Sequence, residues 1–144
     1  MNSSKTNTSH LADFKVNVKI KLSALWITVM LLYIYGDIFA MFVPGHIESL
    51  NSGEMGIGKT TPLKLLAASI LMTIPAIMVF LSITVRPKIN RWLNIIFGSI
   101  YTLVIILTNL TSINHWSVFN LYFGIIDMVI TLIIVWYAWK WPKM

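Results

Sequence analysis

The strongest structural feature of the sequence is the segment 118–139, VFNLYFGIIDMVITLIIVWYAW, in which Asp127 is the only charged residue. A helix needs about 20 consecutive, mainly apolar residues to cross a hydrocarbon core about 30 Å thick. Three further blocks have the same character and cover residues 22–43, 63–85 and 92–110. We therefore predict an all-α fold, a polytopic membrane protein built as a bundle of four antiparallel transmembrane helices.

The composition of the 144-residue chain excludes a soluble globular domain. Hydrophobic residues make up 57% of the chain and charged residues 11%, whereas a soluble domain carries about 25% charged residues. The sequence contains no cysteine, which excludes disulfides, thiolate nucleophiles and cysteine metal sites. The four blocks are too long, and alternate too little, for the strands of a membrane barrel.

The sequence divides into a polar tail, residues 1–13, and a single transmembrane domain, residues 14–144. Residues 14–21, FKVNVKIK, alternate between apolar and polar side chains, which favours an extended basic segment on the membrane surface. A short edge strand and a frayed start of the first helix are the alternatives. Further along, Thr61 followed by Pro62 predicts the beginning of the second helix, and Ser117 is the expected cap of the fourth.

The lysines and arginines predict the orientation in the membrane. Only Lys59 and Lys64 fall on the side of the long loop 45–62. The other nine lie before the first block, between the second and third, or after the fourth: Lys5, Lys15, Lys19, Lys21, Arg86, Lys88, Arg91, Lys140 and Lys143. Because basic loops stay in the cytoplasm, we expect both termini to be cytoplasmic.

The net charge of +6 is explained by this topology, and we expect no nucleic-acid partner. The partners of the basic residues are expected to be lipid headgroups, with anchors at Lys19, Lys21, Arg86, Lys88 and Arg91. Tryptophans near the same side are expected at headgroup level, where indole rings are enriched: Trp26, Trp92, Trp136, Trp139 and Trp141.

Residues Gly53–Thr60, GEMGIGKT, match the phosphate-binding pattern G-x-x-x-x-G-K-[ST] letter for letter. That mechanism requires a buried strand before the loop and a helix that begins at its Lys-Thr end. The preceding residues 46–52 do not have the pattern of a buried strand, and the topology places the loop outside the cytoplasm. We therefore predict a flexible outer loop that binds no nucleotide.

Two acidic residues, Asp37 and Asp127, lie inside the apolar blocks. An ionisable side chain in a membrane helix costs at least about 2.5–3.5 kcal/mol by insertion scales, so its presence needs an explanation. In antiparallel helices both acids fall in the outer half of the bundle, where they can share one polar pocket. The other predicted members of this pocket are Tyr33, Thr73, Asn109 and Asn120.

Packing alone also explains polar and small residues at helical spacing, because they let helices approach and bond across the interface. Such stripes include Asn94, Gly98 and Thr102 in the third block and Ser69 with Thr73 in the second. In the same second block, Pro75 is expected to leave the carbonyl of Leu71 without its helical donor.

No catalytic constellation is visible, since no histidine lies beside a serine within a span. His46, Glu48 and His115 have the residue types of a metal site but an unhelpful spacing. We predict no catalytic residues, no metal and no cofactor, and we expect the chain not to be an enzyme.

Several strings, spaced over residues 19–141, together resemble a known family. They are Lys21–Trp26 (KLSALW), Gly36–Phe39 (GDIF), Ile74-Pro75, Asn90–Asn94 (NRWLN) and Ile134–Trp141 (IVWYAWKW). The chain resembles a bacterial family of small four-helix integral membrane proteins that is catalogued only as a domain of unknown function. A looser likeness, in size and layout, connects it with DoxX-like membrane proteins.

The resemblance implies acids in the first and fourth spans, which match Asp37 and Asp127, and a bacterial cytoplasmic membrane as the location. A further acid often precedes the Ile-Pro pair in that family, and Thr73 stands there in this chain. This departure weakens a proton-relay role, and the family implies no activity.

Three functional hypotheses follow. The leading one is a non-enzymatic membrane protein that binds or translocates a small lipophilic or cationic molecule through Asp37 and Asp127. The second is a structural or accessory membrane subunit, in which the polar stripes only pack helices. It would associate with a membrane partner protein or with copies of itself. The third is a quinone-linked membrane oxidoreductase subunit.

Overall fold

The computed structural model describes residues 14–54, 58–111, 116 and 118–142. They form five helices: α1 Val18–Ala40, α2 His46–Asn51, α3 Pro62–Thr84, α4 Pro87–Thr111 and α5 Val118–Trp139. The β pairing recorded in these ranges is one isolated bridge between Glu54 and Lys59. The tail 1–13, His115 and the expected cap Ser117 lie outside the described residues.

Helices α1, α3, α4 and α5 are long and apolar enough to cross a membrane. They contain 23, 23, 25 and 22 residues, or roughly 33–38 Å at 1.5 Å per residue. The all-α prediction with four membrane-spanning helices is confirmed, and the chain is a multi-pass membrane protein.

The first helix begins earlier than the alternating pattern predicted. Residues 18–21 form the first turn of α1, so the extended interpretation of that stretch is wrong. Asn17 causes the difference, because its Oδ1 accepts a hydrogen bond of 2.9 Å from the Lys19 backbone N–H and so caps the helix. The alternative, a helix start within this segment, describes the structure.

The long loop contains a short helix, α2, that the sequence analysis missed. Gly45 and Gly53 flank it with φ values of 80° and 78°, a left-handed backbone that glycine adopts without strain. Consequently a helix, rather than a strand, precedes the phosphate-loop pattern. The helix that follows the pattern begins at Pro62, beyond its Lys59.

The predicted beginning of the second span is confirmed. Thr61 has an extended backbone, and its Oγ1 accepts a hydrogen bond of 3.2 Å from the Lys64 N–H. Pro62 follows as the first helical residue, a position where its missing N–H costs no hydrogen bond.

Helix α1 packs along α3 and α5, and α4 packs along α5, whereas α3 and α4 touch little. The core consists of large side chains that all four long helices contribute: Leu22, Trp26, Val29, Met78, Tyr101 and Ile134. The start of α1 contacts the end of α3, because the Lys19 ammonium donates to the Val85 carbonyl at 2.8 Å. A contact between the start of one helix and the end of its neighbour is expected when the two helices run in opposite directions.

Trp26 corrects the expectation that it lies among lipid headgroups. Its side chain is 0% exposed, and the indole Nε1–H donates to Asn94 Oδ1 at 2.8 Å. The sequence could not distinguish the two environments, since a tryptophan near a helix end suits the headgroup region and the bundle interior alike. The acceptor on α4 fixes the interior position.

Asn94 also joins α4 to α3. Its amide donates to Asn90 Oδ1 at 2.6 Å, and the Asn90 amide donates to the Ser82 carbonyl at 2.6 Å. Every member of this group is buried. The group therefore ties α1, α3 and α4 together near one end of the bundle.

The carbonyl that Pro75 was expected to free has found a donor on another helix. The Tyr101 hydroxyl donates to the Leu71 carbonyl, which proline at position 75 leaves without its i→i−4 partner. The proline thus creates an acceptor through which α4 bonds to α3.

Candidate functional site

A cavity of about 280 Å³ lies between α1, α4 and α5, with one residue of α3 on its wall. Half of its lining side chains are polar: Tyr33, Asp37, Thr108, Asn109, Asn120 and Asp127. The other half are apolar or glycine: Leu32, Gly36, Met72, Ile105, Phe123 and Gly124. The cavity is thus amphiphilic, and both intramembrane carboxyls belong to it.

Five of the six residues assigned to a shared pocket lie on this cavity, namely Tyr33, Asp37, Asn109, Asn120 and Asp127. The sixth, Thr73, does not. Its side chain is exposed, and its Oγ1 donates to the Ser69 carbonyl of its own helix at 2.7 Å. The residue of α3 on the cavity wall is the preceding one, Met72.

The two carboxyls on the cavity differ in exposure. Asp37 is exposed and lies three residues before the end of α1. Asp127 is 3% exposed and lies near the middle of α5. Asn120, at the start of α5, is seven residues from Asp127, about 10 Å along the helix axis. The cavity lining therefore includes one exposed carboxyl and one buried one.

Two polar atoms on the cavity are buried without a hydrogen-bond partner among the described residues, Asp127 Oδ1 and Tyr33 Oη. Buried polar groups in native proteins are nearly always paired, because an unpaired one loses its hydration without compensation. The cavity lining thus includes two residues, Tyr33 and Asp127, that each bury a polar atom without a hydrogen-bond partner among the described residues.

The amide of Asn109 rests against Gly124. A Cβ at position 124 would lie only 2.7 Å from Asn109 Cγ, well inside van der Waals contact. Glycine is therefore required for the amide to reach this wall of the cavity.

Beyond Asp127 the bundle is closed. One turn further along α5, the Thr102 hydroxyl on α4 donates to Thr131 Oγ1 at 2.8 Å. The core pair Trp26 and Tyr101 follows, with ring centroids 5.7 Å apart in an edge-to-face arrangement. The cavity consequently ends at this packed layer of side chains beyond Asp127.

The residues predicted to anchor lipid headgroups surround the opposite end of the bundle. The Lys21 ammonium lies 5.3 Å from the centroid of the Tyr137 ring, and the Arg91 guanidinium lies 5.9 Å from that of Trp139. Arg86, in the connection between α3 and α4, and Lys88, in the first turn of α4, are both exposed. Lys19 differs, because its ammonium donates to carbonyls at the end of α3.

In the ranges that the structure describes, no group of three potential metal-binding side chains comes together. His115, one of the two histidines considered for a metal site, lies outside those ranges.

A model of a family described as "Family of unknown function (DUF6326)" matches residues 10–144. No curated protein and no solved structure matches the chain. The match agrees with the resemblance to a family catalogued by an unknown function, and the likeness to DoxX-like proteins stays a prediction.

Proposed function

We propose that this chain, which belongs to the DUF6326 family of unknown function, binds a small cation that donates hydrogen bonds. The site is the cavity between α1, α4 and α5. The main supporting observation is the Asp127 carboxyl, which is buried on the cavity wall with its Oδ1 unpaired among the described residues.

An amine in its ammonium form can supply the positive charge and the hydrogen-bond donors that the buried Asp127 carboxyl lacks. It brings a positive charge to the carboxylate of Asp127 and N–H donors to its free oxygen, and charge-assisted hydrogen bonds are about twice as strong as neutral ones. The Tyr33 hydroxyl can accept a second N–H. A charge buried alone is costly, but one that is paired and hydrogen-bonded can be accommodated.

The size and the walls of the cavity restrict the ligand further. Ligand cavities generally measure about 300–1,000 Å³, so 280 Å³ is suited to a small molecule. Leu32, Ile105 and Phe123 offer apolar surface to its body. The amides of Asn109 and Asn120 offer further donors and acceptors.

The remaining elements of this proposal concern location. We place the cavity on the outer side of a bacterial cytoplasmic membrane, with both termini in the cytoplasm, because basic residues are concentrated at the other end. Asp37 then provides the exposed carboxyl of the cavity on this outer side. The closed layer at Thr102 and Thr131 favours binding over open passage.

The test is a calorimetric titration of the purified protein with benzylamine, which is an ammonium ion at neutral pH. Asp127→Asn is expected to weaken binding at least tenfold. A hydrogen bond to a charged group contributes about 1.5–3 kcal/mol, and 1.4 kcal/mol corresponds to a factor of ten. Benzyl alcohol, of similar shape but uncharged, is expected to bind more weakly than benzylamine.

Glu48→Gln is the matched control, because it removes an exposed carboxyl of α2 that does not line the cavity. The affinity of Glu48→Gln for benzylamine should equal that of the wild type. Equal affinities for the wild type and Asp127→Asn would contradict the proposal and favour a purely structural role for the polar residues.

A further inference from the structure

The cavity has an exposed wall residue deep within the membrane-spanning part of the bundle. Met72 lines the cavity and retains 43% exposure. It lies ten residues after the start of α3 at Pro62, about 15 Å along the helix. This is half the thickness of a hydrocarbon core of about 30 Å, so lipid is the expected medium around any part of Met72 that faces away from the bundle.

Helices α3 and α4 form the least packed side of the bundle. They touch little compared with the other neighbouring pairs, and the bonds seen between them in the described ranges join Tyr101 to Leu71, and Asn90 and Asn94 to Ser82. The first bond lies at Leu71, near the middle of α3, and the others lie at Ser82, near the end of α3 that is distant from the loop containing α2.

Between the loop and the midpoint, the surface of α3 is uncovered. From Pro62 to Thr73 every residue is exposed except Ala68 and Leu71. On α4, Ile105 and Thr108 form the cavity wall at the same level, and Ile105 is itself buried. Neither helix covers the other there, so the cavity has a side that none of the described helices closes.

We propose that the cavity opens sideways into the membrane, between the loop-side halves of α3 and α4. Its ligand then arrives from the hydrocarbon of the adjacent leaflet and is an amphiphilic amine with an apolar body, already dissolved in the membrane. The identity of the ligand rests on the proposed function, whereas the opening rests on the packing of α3 and α4 alone.

The opening can be tested without any ligand, because the chain has no cysteine and Ile105→Cys introduces a single buried thiol on the cavity wall. The variant is reconstituted into phosphatidylcholine vesicles and treated with N-methylmaleimide or N-hexylmaleimide at equal aqueous concentration. Each added methylene raises partition into hydrocarbon roughly fourfold, so entry through lipid predicts a rate at least about tenfold higher for the hexyl reagent.

The control is Ser52→Cys, an exposed position after α2, where the two reagents should differ little. Leu32→Cys, on the α1 wall of the same cavity, is a second reporter if Ile105→Cys does not fold. Equal rates for the two reagents at both cavity positions would overturn the sideways opening.

A second measurement locates the entrance. Met72→Trp, combined with Ile105→Cys, fills the proposed opening and is expected to slow the reaction with N-hexylmaleimide severalfold. Ile83→Trp is the matched control, since Ile83 is similarly exposed on the same helix but lies beyond the bonds to α4. A rate unaffected by Met72→Trp would overturn the assignment.

The outcomes separate the two proposals. If benzylamine binding fails while the hexyl preference remains, the assigned ligand is wrong and the opening stands. If benzylamine binds through Asp127 but the maleimide rates do not differ, the sideways opening is wrong and the proposed function stands.

Discussion

Trp26→Ala is expected to lower the free energy of unfolding by about 3–5 kcal/mol, the usual range for removing a large buried aromatic side chain. The indole is 0% exposed and stacks edge to face on Tyr101. Its removal also leaves Asn94 Oδ1 without its 2.8 Å donor in the bundle interior. Unfolding of the purified protein in mixed micelles of increasing dodecyl sulfate content measures the change.

Two further variants distinguish the loss of the buried ring from the loss of its N–H donor and from the loss of an exposed tryptophan. Trp26→Phe keeps a ring but removes the N–H donor, so its loss of stability should be smaller. Trp92→Ala is the matched control, because Trp92 is 59% exposed on α4. Trp92→Ala should lower the free energy of unfolding by well under half as much as Trp26→Ala. Equal losses for Trp26→Ala and Trp92→Ala would contradict the buried position of Trp26.

Gly98→Leu is expected to have the second large effect, a loss of about 3 kcal/mol or more, at the upper end of the usual cost of overpacking. A Cβ at position 98 would already lie 2.8 Å from Val135 Cγ2 and 3.5 Å from Ile134 Cγ2. Membrane helices associate through close packing at small residues, so a bulky side chain must push α4 away from α5. The same dodecyl sulfate titration measures this loss.

Gly36→Ala tests whether the effect is specific to that contact. Gly36 also lies within a spanning helix, and a Cβ there would have no neighbour within 4 Å among the described atoms. This substitution should leave stability unchanged or raise it by up to about 1 kcal/mol, the difference in helix propensity. A stability of Gly98→Leu equal to the wild type would show that α4 and α5 do not approach closely at this point.

The features predicted well from the sequence were those that lipid enforces. A block of about 20 apolar residues must be helical, because every backbone group in hydrocarbon needs an internal partner. The two carboxyls lie on one cavity because their positions along the first and fourth spans fix their depth. Whether a side chain faces lipid or the bundle interior was harder to predict, since both environments accept apolar side chains.

Thr73 and Met72 illustrate this limit. A threonine hydroxyl can bond to the carbonyl four residues earlier in its own helix, as Thr73 does with Ser69, so it does not require a polar interior. The assignment of Thr73 to the pocket assumed that it did. Met72 is apolar and gave no sequence indication that it lines a cavity.

Local capping accounts for the other differences. Asn17 begins α1 four residues before the apolar block, and a capping side chain is invisible to a hydropathy pattern. The short helix α2 contains no apolar face long enough to be recognised from periodicity.

The cation site at Asp127 is tested most directly by labelling the purified protein with dicyclohexylcarbodiimide, which modifies carboxyl groups in apolar surroundings. Peptide mass spectrometry then locates and quantifies the modified acids. We expect Asp127 to be modified. Benzylamine at ten times its Kd should slow that reaction about tenfold, since only about a tenth of the sites remain free. A labelling rate of Asp127 that benzylamine does not change would contradict a cation site in this cavity.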